Sequence, residues 1–171
     1  MLIDLSEILS TEGQVKDYDV ISELKEFSFN GNVYVVDSVK DFHLTARNGG
    51  KRKASLKGSC VVTLKMLCDR CLDEITEDFE VDIDEMIDMA IFETDKVDEI
   101  EELDYLEDHI INMDMLLQKE LMTLVPMQIL CKDDCKGLCK VCGANLNHET
   151  CDCDDFVPDP RLSVFANILK G

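Results

Sequence analysis

Six of the nine cysteines of this 171-residue chain fall within residues 131–153, in the order C-x3-C-x3-C-x2-C-x8-C-x-C. Two of them, Cys139 and Cys142, form a C-x2-C pair that is followed directly by Gly143. Two thiolates at this spacing can hold one metal ion, and the glycine permits the tight turn that aims backbone N–H groups at the sulfurs. A C-x-C pair closes the stretch and completes a tetrahedral zinc site. The predicted ligands are Cys139, Cys142, Cys151 and Cys153.

A second C-x2-C pair, Cys68 and Cys71, lies between two segments that alternate like strands. A pair at a turn between strands is a common way to build half of a zinc site. Cys60 is isolated within a predicted strand and is interpreted as a small core residue, so eight cysteines remain, which is twice four. We therefore predict a second site and one or two Zn2+ per chain. Its predicted ligands are Cys68, Cys71, Cys131 and Cys135.

Three other uses of these thiols compete with zinc. The N-terminus lacks a basic region and a long apolar segment, which predicts a cytoplasmic protein, where thiols stay reduced and disulfides are rare. The spacing of Cys135, Cys139 and Cys142 is also used by iron–sulfur radical enzymes, although those need a large barrel that this short chain cannot form. A redox-active dithiol is the third use, but no thioredoxin-like βαβ pattern surrounds either pair.

The elements that position these cysteines are predicted to be strands. Alternation around Phe27 and Phe29 precedes an Asn30-Gly31 turn signal, and alternation continues through residues 33–36, 56–67 and 75–83. Long strands joined by short turns favour neighbouring antiparallel pairs. The predicted fold class is α+β: an antiparallel β meander with a few helices and a cysteine-rich zinc-binding module.

Three regions follow from the pattern. Residues 1–92 are the antiparallel β region that carries the first C-x2-C pair, and residues 93–108 are an acidic loop. Residues 109–171 hold a helix capped by Asn112 or Asp114 and ended by Pro126, then the zinc module. A last helix opening at Asp159-Pro160 is predicted to pack on the sheet, so that the regions form one compact unit.

The charge of the chain restricts its partners. A formal net charge of −20 argues against an indiscriminate nucleic-acid binder and favours a basic partner. The acidic loop is either a solvated connection or a docking surface for that partner. One basic island, around a turn predicted at residues 48–50, either contacts RNA phosphates or is merely solvated. The candidate RNA-binding residues are Arg47, Lys51, Arg52 and Lys53.

The sequence does not contain the motifs that several classes of protein require. No run of 18 apolar residues indicates a membrane span. Neither a Ser/His/Asp order, nor H-E-x-x-H, nor a phosphate-binding glycine loop is present, and closed four-cysteine sites are structural. We therefore expect a protein that is not an enzyme.

The motifs taken together resemble the YceD family, named for large ribosomal RNA subunit accumulation. The resemblance rests on Cys68-Asp69-Arg70-Cys71-Leu72, Leu124-Val125-Pro126, the run from Asp134 to Asn147, and Asp159-Pro160-Arg161-Leu162-Ser163-Val164-Phe165. It implies a bacterial cytoplasmic ribosome-biogenesis factor needed for accumulation of 23S rRNA, with large-subunit rRNA, a basic ribosomal protein or both as partners. Lys140 departs from the family pattern, which has proline there, but it is not a ligand position. The alternative is a zinc-stabilised adaptor for a basic client unconnected to ribosomes.

Overall fold

The computed structural model describes residues 1–89 and 104–153. In these residues the chain is mostly antiparallel β sheet with two helices, which confirms the α+β class. The predicted last helix, from Asp159 on, and residues 93–103 of the acidic loop lie outside the described residues. The elements in chain order are β1 (Leu2–Asp4), α1 (Ser6–Leu9), β2 (Val15–Val20), β3 (Glu26–Phe29), β4 (Asn32–Val39), β5 (Phe42–Gly50), β6 (Lys53–Leu67), β7 (Glu74–Asp88), β8 (Leu106–Glu107), β9 (Ile110–Asn112) and α2 (Met113–Leu124).

The long strand β6 is the centre of a six-stranded sheet. It pairs with β5 along residues 53–58, with β4 along residues 62–65, and with β7. The consecutive strands β5, β6 and β7 form the predicted meander, and β2 and β3 extend the sheet beyond β5 and β4. Alternate side chains of β6, among them Leu56, Val62 and Leu64, are buried, as the period of two predicted. The long hairpin of β6 and β7 carries the first cysteine pair at its turn.

The short hairpin of β3 and β4 has the predicted turn. Asn30 and Gly31 are its two central residues, with φ of +50° and +79°. Both angles are positive, which is the geometry that matches the twist of a two-residue hairpin and that asparagine and glycine tolerate best. Behind the turn Phe27 is fully buried and its ring stacks on those of Phe29 and Tyr34.

The predicted turn at residues 48–50 is wrong. Strand β5 continues to Gly50, and the turn before β6 is made by Lys51 and Arg52, with φ of +52° and +62°. The physical reason is Asn48, which is 4% exposed. Its amide nitrogen donates to the carbonyls of Ile8 at 3.0 Å and Thr11 at 2.9 Å, and its oxygen accepts from the backbone of Gly50 at 2.8 Å. Asn48 is therefore a core residue that terminates α1.

A three-stranded sheet in the order β1-β9-β8 leads into helix α2. Of the two predicted caps, Asn112 is the one observed: its side-chain oxygen accepts from the backbone N–H of Asp114 at 3.1 Å and of Met115 at 3.4 Å. This satisfies donors that the first helical turn leaves unpaired. The helix buries Leu116, Leu117 and Leu121 and ends at Val125, whose backbone is extended.

The chain divides into two compact units. One joins Met1–Met66 to Ile75–Met127, and the other joins Leu67–Glu74 to the chain from Gln128 onward. The turn between β6 and β7 thus belongs with the cysteine-rich segment, from which it is distant in sequence. In the part of the chain that the structure describes, no helix is both long and apolar enough to cross a bilayer.

Candidate metal centre

The first thiol cluster begins at the turn between β6 and β7. The backbone N–H of Cys68 donates to the carbonyl of Asp73 at 2.9 Å, and the N–H of Leu72 donates back to the carbonyl of Cys68 at 2.9 Å. These bonds close a tight loop in which the side chains of Cys68 and Cys71 face the same interior. Both residues are buried, 0% and 3% exposed.

The other two thiols of this cluster come from the segment after α2. Asp69 anchors that segment through two bonds with Ile129: its N–H donates to the Ile129 carbonyl at 2.8 Å, and its carboxylate accepts the Ile129 N–H at 2.7 Å. The chain then enters the cluster at Cys131 and turns back at Cys135. These two hydrogen bonds thus fix the position of the chain just before Cys131.

The four sulfurs of the first cluster have the spacing of a metal site. Cys68 Sγ lies 3.7 Å from Cys135 Sγ, Cys71 Sγ lies 3.5 Å from Cys131 Sγ, and all four lie within 4.8 Å of one another. Four sulfurs at about 2.3 Å from one zinc ion stand about 3.8 Å apart in a tetrahedron. A disulfide needs about 2.05 Å, so these thiols are not bonded to each other. The set fits one tetrahedral ion.

The second cluster is built on the predicted knuckle. Gly143 has φ of +76°, and its N–H donates to the carbonyl of Cys139 at 2.9 Å. The N–H of Val141 donates to Cys139 Sγ at 3.4 Å, and the N–H of Cys139 donates to the Ala144 carbonyl at 2.8 Å. The four sulfurs again lie within 4.8 Å of one another. Its members are Cys139, Cys142, Cys151 and Cys153.

The two C-x2-C turns have the same backbone geometry. In each, the residue after the second cysteine has positive φ and donates its N–H to the carbonyl of the first cysteine at 2.9 Å. That residue is Gly143 in one turn and Leu72, with φ of +61°, in the other. A leucine in this conformation is uncommon, because its Cβ crowds the following carbonyl. The similarity indicates that both turns serve the same chemistry.

The structure also separates competing uses of the thiols. Cys135 lies in the first cluster, whereas Cys139 and Cys142 lie in the second, so the set that suggested an iron–sulfur cluster is not brought together. All nine cysteines are free. Cys60 belongs to neither cluster; it is 7% exposed, and burial raises the pKa of its thiol to about 11. It has the environment of the core residue that its position in a strand predicted.

Backbone donors favour the ionised form of Cys68 in the first cluster and of Cys139 in the second. Burial raises the pKa of Cys68, but backbone N–H groups, first that of Arg70, outweigh it and bring the pKa down to about 6. The backbone N–H groups of Cys142 and Val141 lower the pKa of Cys139 to about 6. Because the thiolate is the form that binds metal, both clusters are prepared for a cation.

Other thiols of the same clusters hold their protons more strongly. Burial, the largest cause, raises the pKa of Cys71, and the hydrogen bond with Cys142 raises the pKa of Cys153 to about 12. Each cluster therefore combines thiolates with protonated thiols that share hydrogen bonds. A divalent cation that enters would displace those protons and replace the shared hydrogen bonds with coordination.

Polar side chains surround the first cluster. The Asp73 carboxylate accepts from Cys71 Sγ at 3.2 Å and from the Asn145 amide at 2.9 Å, and it lies 3.1 Å from His148 Nε2. The hydrogen bond from Cys71 lowers the pKa of Asp73, and those from His148 and Asn145 act in the same direction. Asn147 donates its amide to Cys135 Sγ at 3.3 Å.

The sequence pattern indicated these surrounding residues only partly. Asparagines such as Asn145 and Asn147 are typical of turns, and a histidine such as His148, so close to the cysteines, is a residue type that can bind zinc. In the structure His148 contacts Asp73, and each cluster is made of cysteines alone. The sequence gives no indication of the role of Asp73 other than its position two residues after Cys71.

The basic island lies at the turn between β5 and β6. Lys51 and Arg52 are the central residues of that turn, and Arg47 is on the exposed side of β5. Lys53 Nζ lies 3.2 Å from the carboxylate of Asp88, so part of its charge is balanced within the protein. The four candidate RNA-binding residues are thus at one end of a sheet, and Lys53 is ion-paired.

Comparison with known proteins gives a family match. A family model described as Large ribosomal RNA subunit accumulation protein YceD matches residues 56–169, about two thirds of the chain. The match includes all the cysteines and both C-x2-C turns. No curated protein and no solved structure matches.

Proposed function

The chain belongs to the YceD family, and from that premise we propose that it is a ribosome-biogenesis factor needed for accumulation of 23S rRNA. The family match over residues 56–169 is the observation that carries the proposal. The family's name implies a role in accumulation of the RNA of the large ribosomal subunit. We place this role in the cytoplasm, where thiols stay reduced and ribosomal precursors are assembled.

We further propose that the protein is not an enzyme and that its clusters hold two Zn2+. Each ion would take four thiolates, Cys68, Cys71, Cys131 and Cys135 in one cluster and Cys139, Cys142, Cys151 and Cys153 in the other. Zinc so bound supplies folding free energy and has no open position for a reacting water. Few apolar side chains are buried in the cysteine segment. Leu130 and Leu138, which pack against the first cluster, are only partly buried. Ligation is therefore what would hold it folded.

The partner that suits the charge is a basic protein of the large subunit. The chain has 37 acidic and 17 basic side chains, so most of its surface repels phosphates and attracts lysine and arginine. The ion pairs Lys53–Asp88 and Lys57–Asp84 further reduce the cationic charge of the basic island. Direct contact with RNA would then be local, at the turn between β5 and β6, through Arg47, Lys51, Arg52 and Lys53.

The biological role is tested by depleting the protein in its own host. The proposal expects 23S rRNA and large-subunit particles to fall while 16S rRNA does not, and it is overturned if the two RNAs keep their ratio. Co-sedimentation with large-subunit precursors then distinguishes a ribosomal factor from an adaptor with a basic client elsewhere. An adaptor unconnected to ribosomes would not sediment with these precursors at any salt concentration.

The RNA contact is tested with Lys51→Glu combined with Arg52→Glu. Four phosphate contacts predict that log affinity for RNA falls with log salt with a slope of about 3 to 4. The double variant should abolish this binding and leave metal content unchanged. The matched control is Lys25→Glu with Lys40→Glu, which changes net charge equally at two exposed positions away from the turn. Equal loss in both variants would mean that only total charge matters, and no loss in the first would leave the basic protein as the partner.

A further inference from the structure

The loop that connects the halves of the second cluster contacts the first cluster. This connecting loop, residues 143–150, runs from Cys142 to Cys151, which are both members of the second cluster. Its Asn147 donates to Cys135 Sγ at 3.3 Å, and Cys135 is a member of the first cluster. Asn145 and His148 contact Asp73, which in turn accepts from Cys71 Sγ at 3.2 Å.

We propose that the two clusters take up metal cooperatively and that Asn147 is the main residue that couples them. The inference rests on the proposal that both clusters hold zinc, and it adds that neither binds independently of the other. Asn147 is a positioning residue, because it would contact a metal ligand and not the metal.

The coupling by Asn147 is direct. Its amide nitrogen donates to a thiol sulfur, while its side-chain oxygen accepts the backbone N–H of Lys136 at 2.9 Å, which holds the amide in that orientation. Donors to a metal-bound thiolate stabilise its charge, and removing such an outer partner typically lowers metal affinity 10–100-fold. A metal in the second cluster would fix both ends of the connecting loop and so place this donor beside the first cluster in advance.

A second connection runs through Asp73. Its carboxylate lies 2.9 Å from the Asn145 amide and 3.1 Å from His148 Nε2, so one acidic side chain holds two points of the connecting loop. The backbone adds to this, because Leu138 forms a β-bridge with Asn145 and donates its N–H to the Arg70 carbonyl at 3.1 Å. Ordering either cluster therefore orders the segment that the other requires.

Reciprocity follows from thermodynamics. If a metal in the second cluster raises the affinity of the first, then a metal in the first raises that of the second by the same factor. The one-metal species should therefore be scarce at all stages of a titration. Two independent clusters of similar affinity would instead give one-metal protein as up to half of the molecules.

The experiment is a Zn2+ titration of the full-length, reduced chain, followed by native mass spectrometry to count chains with zero, one and two ions. Cooperative uptake predicts mainly the zero-ion and two-ion species. Asn147→Ala should lower the affinity of the first cluster about 10–100-fold and make the one-ion species abundant. Glu149→Ala is the matched control: it is exposed, lies in the same loop, and should leave the distribution unchanged.

A second variant covers the case in which Asn147→Ala misfolds. Cys151→Ser disables the second cluster, and the coupling predicts that the remaining cluster then binds its single Zn2+ at least 10-fold more weakly than in the parent chain. The coupling would be overturned if the parent chain showed the share of one-ion protein expected for two independent clusters and if Cys151→Ser left the Zn2+ affinity of the first cluster unchanged. Both zinc sites would still stand in that case. If the parent takes up no zinc, both this inference and the zinc proposal fail.

Discussion

Gly137 lies in the short connection between the clusters, at a point where a methyl group should be costly. Its φ is +75°, and a Cβ built on it would stand 3.0 Å from the carbonyl oxygen of Arg70. That oxygen is held in place, because it accepts the N–H of Leu138 at 3.1 Å, and the Arg70 guanidinium donates to the carbonyl of Cys135 at 3.1 Å. Gly137→Ala therefore meets both a disfavoured conformation and a fixed neighbour.

Gly143 provides the comparison that separates these two effects. Its φ is +76°, but a Cβ there would find nothing within 4 Å. The left-handed conformation costs an alanine about 1 kcal/mol at either position, and the contact with Arg70 adds about 1–2 kcal/mol at Gly137 alone. Replacing glycine by alanine also lowers the conformational entropy of the unfolded chain. This effect is the same in both variants, so it cancels when their affinities are compared.

The assay is competition for zinc between each variant and a chelator of known affinity. Folding of the segment and binding of metal are one equilibrium, so a cost of about 2–3 kcal/mol predicts an affinity about 30- to 150-fold lower for Gly137→Ala. About 1 kcal/mol predicts roughly 5-fold for Gly143→Ala. Equal affinities in the two variants would refute the reasoning, because the contact with the Arg70 carbonyl would then carry no energy.

Three further predictions concern single residues. Asn48→Ala should lower the free energy of unfolding, measured by urea denaturation, by about 2–4 kcal/mol, because buried carbonyls of the first helix and the N–H of Gly50 lose their partner. A loss below about 1 kcal/mol would contradict the core role of Asn48. Cys60, which is 7% exposed within strand β6, should stay unalkylated at pH 8 after chelation because the sheet keeps it buried, while the eight clustered cysteines react once their segment has lost its metal and unfolded, as counted by mass spectrometry; rapid labelling of all nine would count against it. Asn112→Ala should cost about 1 kcal/mol of stability through loss of the helix cap, and Asn112→Asp, which keeps the acceptor, should cost less.

The sequence alone determined the features that depend on local pattern. Strand alternation along β6, the Asn30-Gly31 turn and the Asn112 cap all express preferences of a few neighbouring residues for one conformation. Cys139, Cys142, Cys151 and Cys153 are grouped in space as their spacing predicted, because C-x2-C and C-x-C pairs can each offer two sulfurs to one ion. The grouping of Cys71 with Cys131, which are 60 positions apart, was predicted from the number of cysteines and not from local spacing. That the groups hold zinc remains a prediction.

Only the tertiary structure decided the positions that long-range contacts control. Asn48 has the sequence context of a turn, yet its amide reaches carbonyls about 40 positions earlier, and this contact moves the turn to Lys51 and Arg52. Asp73 gains its role from partners that are 72 and 75 positions away. A polar side chain that must be buried takes its partners from whichever backbone the fold brings near, and no local pattern encodes that choice.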